Sequence, residues 1–309
     1  MWSAQATPAG RVTEKIIDYH RVRAAAGCGL IIVEHAFIDP RGRNSATQLG
    51  VYSDGMIEGL SRLASAIRGE GAAAALQISH AGSRASPGVL GAIKPVAPSA
   101  VRHPYDPAGE IPEALSQSQI REVIGAFGSA AVRAREAGFD AVEIHGAHGF
   151  LLSQFLSPLT NQRTDEFGGN VDNRSRIHLA VLGEVRRRVG SAFPVFVRLG
   201  AHDETPGGLE LNDACEAATR LAAGGVDLID VSGGLQGSRG LGQDPGYFVP
   251  YAAAIKARVK VPVIVTGGIR EPALADRIVR DGHADLVGIG RAMLDDPEWA
   301  RKAIAALSQ

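Results

Sequence analysis

Short apolar runs rich in β-branched residues recur along the chain. Leu30-Ile31-Ile32-Val33, Ala75-Leu76-Gln77-Ile78, Ala141-Val142-Glu143-Ile144 and Val195-Phe196-Val197-Arg198-Leu199 come first. Asp227-Leu228-Ile229-Asp230-Val231, Val261-Pro262-Val263-Ile264-Val265 and Asp285-Leu286-Val287-Gly288-Ile289 follow. Each is mostly apolar without clean alternation, as expected of strands covered on both faces of a parallel sheet. Helical patterns lie between them. In residues 119–136, Ile120, Val123, Ile124 and Phe127 share one helix face, and Gly138 is placed to stop that helix. Asn212 or Asp213 suits the N-cap of an alanine-rich helix ending near Gly224 and Gly225. Strand alternating with helix, seven times over, predicts an α/β fold with right-handed crossovers.

The strand-to-helix turns choose between a closed barrel and an open doubly wound sheet. A dinucleotide-binding sheet requires G-x-G-x-x-G after an early strand, and none occurs. Glycine pairs instead follow the last two strands, as Thr266-Gly267-Gly268 and Gly288-Ile289-Gly290-Arg291. In a (β/α)8 TIM barrel those loops are the usual phosphate site. The barrel is therefore expected, as one domain over residues 1–309. Residues 87–112, rich in proline and alanine, read as a long functional excursion rather than a boundary.

Composition narrows the function. With 32 basic and 33 acidic residues the formal charge is −1, which argues against a nucleic-acid or anionic-membrane partner. The two cysteines, Cys28 and Cys215, cannot supply a disulfide framework or a four-cysteine metal or cluster site. No apolar run approaches the roughly 20 residues of a membrane span, and the N-terminus lacks signal-peptide character. A soluble, cytoplasmic protein is the expectation.

Candidate chemistry concentrates after the Ala141–Ile144 run. His145 ends that strand, and His148 follows in a glycine-flanked turn. Two imidazoles there would project into the barrel mouth, where their N–H groups can stabilise charge developing on a substrate oxygen. Structural histidines are the alternative. A zinc site completed by His35 or His80 is a third reading, weakened by the lack of a carboxylate in step with them. Arg198 and Gln77 interrupt apolar strands; a satisfied core network would explain them, as would a flat, polar-edged heterocycle over the mouth. Gly267, Gly268 and Gly290 allow close approach of backbone N–H groups to a phosphate, and Arg291 adds a charged fork. Residues 161–176, with Arg163, Asp165, Glu166, Arg174 and Arg176 around Gly168-Gly169, read as a self-bonded loop or a solvated one. Arg186-Arg187-Arg188 reads as a solvated helix face.

These residues resemble the Old Yellow Enzyme family of FMN-dependent NADH:flavin oxidoreductases, or ene-reductases. The matching segments are residues 29–34 with Pro40-Arg41-Gly42-Arg43, then Leu76-Gln77-Ile78-Ser79-His80-Ala81-Gly82, then residues 138–174. Gly267-Gly268, Gly290-Arg291 and Asp296-Pro297 continue the match, so that it covers nearly the whole chain. The resemblance implies an FMN-containing TIM barrel in which Gln77 and Arg198 bond the isoalloxazine edge. It implies that Gly267, Gly268, Gly290 and Arg291 hold the FMN phosphate. His145 and His148 would bind the substrate oxygen, NADH or NADPH would reduce the flavin, and a small electrophilic alkene would then be reduced. The only protein partner expected is a further copy of the chain in a homo-oligomer.

Four departures from the family pattern stand out. Phe150 occupies the position of a tyrosine often assigned as proton donor, so an atypical ene-reductase is implied. Trp2 falls where relatives carry a cysteine or threonine near the flavin, and with Phe150 it would line the substrate position. His35 replaces a small residue. Relatives also begin with a strand whose end would align with Met1, and only seven strands are countable here. The chain therefore reads as a barrel whose first strand is truncated or missing, with a late start codon as the explanation. A flavin-binding barrel with little ene-reductase activity is the alternative function, and a metal-dependent barrel hydrolase is a third.

Overall fold

In the computed structural model, residues 3–91, 93–239, 241 and 244–308 are described. Seven parallel strands form one sheet: β1 (Leu30–Phe37), β2 (Ala73–Ser79), β5 (Ala141–Gly146), β6 (Val195–Gly200), β7 (Leu228–Ser232), β8 (Val263–Thr266) and β9 (Leu286–Gly288). All seven predicted runs are strands, in chain order across the sheet. Each is joined to the next by helix. A separate two-stranded pair, β3 (Val96–Ala97) and β4 (Glu113–Ala114), belongs to the long excursion after β2. Among the described residues β1 and β9 do not pair with each other, so the sheet is a barrel wall with two free edges. Leu286 on β9 accordingly keeps 45% of its surface exposed.

The outer face of the sheet is apolar. Val33, Leu76, Ile78, Val142, Val197 and Val231 are wholly or almost wholly buried beneath the helices. Those helices are α1 (Glu14–Ala25), α2 (Ile57–Gly69), α4 (Gln117–Glu136), α6 (Val171–Val189), α7 (Leu211–Ala223), α8 (Val249–Lys256) and α9 (Pro272–Arg280). Shorter helices α3 (Pro87–Leu90), α5 (Leu151–Leu156) and α10 (Arg291–Asp295) line the loops, and α11 (Trp299–Leu307) follows α10. Leu60, Leu63, Ile120, Phe127, Val181 and Leu221 supply the facing side chains, each contributing about 1.5–3 kcal/mol by burial. Helix α4 starts at a capping box between Ser116 and Gln119, and Gly138 follows its end with φ +83°.

The predicted cap of α7 is corrected. Glu210 holds the cap position without a side-chain bond, and Asn212 and Asp213 lie inside the first turn. Asp213 instead pairs with Arg174. Residues 161–170 form a self-bonded loop, whereas 171–176 are not loop but the first turns of α6, capped by Asn170. Arg163 grips Asp165 with two N–H groups (2.9 and 2.5 Å) and the carbonyls of Pro98 and Leu115, while Asn161 Nδ2 donates to Phe155 O and Phe167 O. Of the three consecutive arginines, only Arg187 stands on a solvated face. Arg186 donates to Phe193 O (2.7 Å) and Gly225 O (2.9 Å), and Arg188 to Ser129 Oγ (2.9 Å).

Candidate active site

Strand register sets the interior face. Gln77 lies beside Glu143, His145 beside Arg198, and Arg198 beside Asp230. Because neighbours in a parallel ladder share a face, these side chains form one polar belt inside the sheet. Gln77 Nε2 donates to Glu143 Oε1. Arg198 donates to Ser232 Oγ (3.2 Å) and Thr266 Oγ1 (3.1 Å) and faces the Asp230 carboxylate at 3.4 Å. The belt is incomplete, since Glu143 Oε2, Asp230 Oδ1 and Arg198 Nε are buried without a hydrogen-bond partner among the described residues. Burial, reinforced by Asp230, raises the Glu143 carboxyl well above the usual range. Burial also raises Asp230, against the pull of Arg198.

Above the belt, His145 and His148 meet edge to face with ring centroids 5.1 Å apart. Phe150 packs on His145 at 4.7 Å and on His35 at 5.0 Å, and His35 stacks over His145 at 6.0 Å. The turn that makes this cluster is strained. His148 has φ +59°, a conformation that costs a non-glycine residue about 1–3 kcal/mol. Its N–H donates to Gly233 O (3.2 Å), and Gly149 follows at φ +70°. A Cβ on Gly149 would fall 2.7 Å from both His103 Nε2 and Leu235 O, so only glycine fits.

Both imidazoles are held neutral. Burial dominates the lowering of their pKa values, with Arg198, His35 and Arg84 adding to it. His148 Nε2 lies 2.7 Å from Ser232 Oγ. Because that oxygen already accepts from Arg198, its own proton is best directed at Nε2, which assigns the His148 proton to Nδ1. His145 Nδ1 is buried and has no partner among the described residues.

The last two sheet loops meet at Tyr247. Gly267 (φ +106°) and Gly268 (φ +71°) are left-handed. A Cβ on Gly267 would lie 2.6 Å from Tyr247 and Phe248, and one on Gly268 would lie 2.9 Å from Asp244 O. Arg291, just after Gly290, donates to Tyr247 Oη (2.7 Å), so Tyr247 joins the two loops. Trp2 lies outside the described residues. His80 turns away, its Nδ1 accepting from Gly82 N–H (3.1 Å), and no group of three or more metal-ligating side chains occurs among the described residues. Glu143, Asp230, Ser232 and Thr266 were missed in the sequence. Glu143 and Asp230 carry the same signal as Arg198, a charge inside an apolar strand.

The chain is similar to several known proteins. The chain is 40% identical over 300 residues to an NADH oxidase of Thermoanaerobacter brockii, covering 95% of this chain and 46% of that protein. It thus spans about half of that relative. It is also 40% identical over 298 residues to an NADPH dehydrogenase of Halalkalibacterium halodurans, covering 96% of this chain and 86% of that one. Among solved structures, the old yellow enzyme homologue from Zymomonas mobilis superposes with a TM-score of 0.85 at 27% identity, over 98% of this chain and 86% of that one. A family model matches residues 1–309. The chain belongs to the NADH:flavin oxidoreductase / NADH oxidase family, whose cofactors are FMN and NAD(P)H.

Proposed function

We propose that the chain, as one FMN-binding unit, reduces activated alkenes such as α,β-unsaturated carbonyls with NAD(P)H. The observation that carries the reading is the pair of neutral imidazoles, His145 and His148, set on the rim of an unfinished polar belt. The belt fits a flavin edge. Arg198 and Gln77 are donors on the interior face, and the stranded atoms beside them are what a polar-edged heterocycle would satisfy. Gly267, Gly268, Gly290 and Arg291 would hold the phosphate, the glycines through their open backbone and Arg291 through its charge.

FMN, when bound, supplies the two-electron transfer from NAD(P)H to the β-carbon of the acceptor. The chain's own side chains bind and polarise that acceptor. A neutral imidazole N–H donates to the acceptor oxygen without carrying a charge of its own, so its bond strengthens as negative charge builds there. Ser232 fixes the His148 ring, and Phe150 walls the pocket beside His145. Phe150 offers no proton, so the proton for the α-carbon comes from water or another acid.

Substitution of the pair tests this reading. His145→Ala and His148→Ala are expected to keep their FMN but lower cyclohexenone reduction by about 10²–10³-fold each, the usual cost of an oxyanion donor. Phenol binding, read from the flavin spectrum, weakens in parallel. Variants that lose flavin instead, or that reduce the enone at the wild-type rate, overturn the assignment. A wild-type protein that binds FMN and accepts electrons from NAD(P)H but leaves enones untouched supports the flavin-binding alternative, which Phe150 favours.

A further inference from the structure

Beside the His148 turn lies a cavity of about 310 Å³, lined by Asn44, Arg84, His103, Tyr105, Asp106 and Arg239. Four separate stretches of chain contribute these residues, including the 87–112 excursion. The cavity shares a wall with the histidine pair, because Arg84 Nη1 donates to His148 O (2.6 Å). Asn44 Nδ2 donates to Arg84 O (2.9 Å) and fixes that wall.

The lining is rich in donors and poor in acceptors. Neither Arg84 nor Arg239 has a carboxylate within 4.0 Å among the described residues, although Arg–carboxylate pairs are common elsewhere in the chain. Asp106 is the single lining carboxylate, leaving a net charge of +1 from two arginines and one aspartate. His103 is 4% exposed. Its Nδ1 accepts from Tyr105 N–H (3.3 Å), which places the proton on Nε2, and Nε2 is buried with no partner among the described residues. That stranded donor lies against Gly149, at the seam between the cavity and the histidine turn. The electrostatics agree: burial, then the charge of Arg239, lowers Arg84, and Asp106 only partly opposes them.

We propose that this cavity binds a carboxylate or phosphate group carried by one of the two small molecules that enter the barrel mouth. An anion supplies what the lining lacks, acceptor oxygens for two guanidinium forks and a buried imidazole N–H. The volume suits such a group with a few attached atoms, being near the small end of ligand pockets. The inference rests on the proposed function for its direction, since it makes the cavity a selector among acceptors or reductants of that site.

The test uses the FMN-loaded protein, with Arg239→Gln to weaken the pocket and Asp106→Asn to strengthen it. Inorganic phosphate, titrated by calorimetry, reads the pocket without turnover. Phosphate should bind wild type, bind Arg239→Gln at least about 5-fold more weakly, and bind Asp106→Asn more tightly. Turnover then separates the sources. One arm compares a carboxylate-bearing cyclohexenone with cyclohexenone itself; the other compares NADH and NADPH with uncharged 1-benzyl-1,4-dihydronicotinamide. In the arm that supplies the anion, the charged-to-neutral ratio of kcat/KM falls in Arg239→Gln and rises in Asp106→Asn. Phosphate binding that neither variant changes, or no binding at all, overturns the proposal, as do two unmoved ratios. Absent turnover with intact, variant-sensitive phosphate binding overturns the proposed function but leaves the anion site standing.

Discussion

At the scale of single residues, the site depends on groups kept in unusual states by their surroundings. Glu143 is the clearest case, a carboxyl inside the sheet that burial and Asp230 hold protonated. The native state then binds more protons than the unfolded chain between the ordinary glutamate value of 4.5 and about 8, so stability falls as pH rises through that window. Glu143→Gln should flatten this fall, which denaturant melts of the flavin-free protein at a series of pH values will show. An unchanged slope would place the titration elsewhere. Phe150 is the converse case, an apolar ring where a proton source would be useful. Phe150→Tyr should raise enone turnover, by up to about 10²-fold if the new hydroxyl is well positioned. Equal rates in the two proteins would show that water already serves. Gln77 and Arg198 stand out in the sequence because polar side chains interrupt apolar strands, and His145 and His148 because they cluster at the end of one. Glu143 and Asp230 carry the same signal, whereas His103 and Arg84 carry none, since loops are polar by default.

Elements reveal a different balance. The seven main strands read as apolar runs, because burial on both faces leaves a continuous apolar signature, and the 119–136 helix reads from its periodicity. Caps were less readable. Asp213 suits an N-cap in the sequence and is an ion-pair partner in the structure, a choice made by Arg174 on the neighbouring helix α6. Long-range polar ties of this kind also hold the loops of the mouth. Asp203, fully buried just after β6, accepts from Leu209 N (2.8 Å), Leu235 N (2.6 Å) and Ser157 Oγ (2.5 Å). It thereby ties the loops after β6 and β7 to the end of α5. Asp203→Ala should cost about 3 kcal/mol, because buried donors are left without an acceptor. Chemical denaturation measures it, and a loss below about 1 kcal/mol would show that water replaces the carboxylate.

For the molecule as a whole, seven strands wrap around an interior that is polar at one end and has two free sheet edges among the described residues. The sequence showed seven strands but not how they would meet, since closure depends on curvature and on edge partners rather than on local pattern. A bound flavin would complete the polar belt, so FMN should stabilise the fold strongly. At 100 times its Kd the added stability is about 2.7 kcal/mol, visible as a rise in Tm of several degrees. Arg291→Ala should reduce that rise by weakening FMN retention, while a Tm indifferent to FMN would contradict the fit. The most direct measurement is the visible spectrum of the FMN-saturated protein under anaerobic conditions, before and after NADPH and then cyclohexenone. The expected result is a flavin band that bleaches with NADPH and returns with the enone. A protein that takes up no FMN, or a bleached band that the enone does not restore, would contradict the assignment of this fold to alkene reduction.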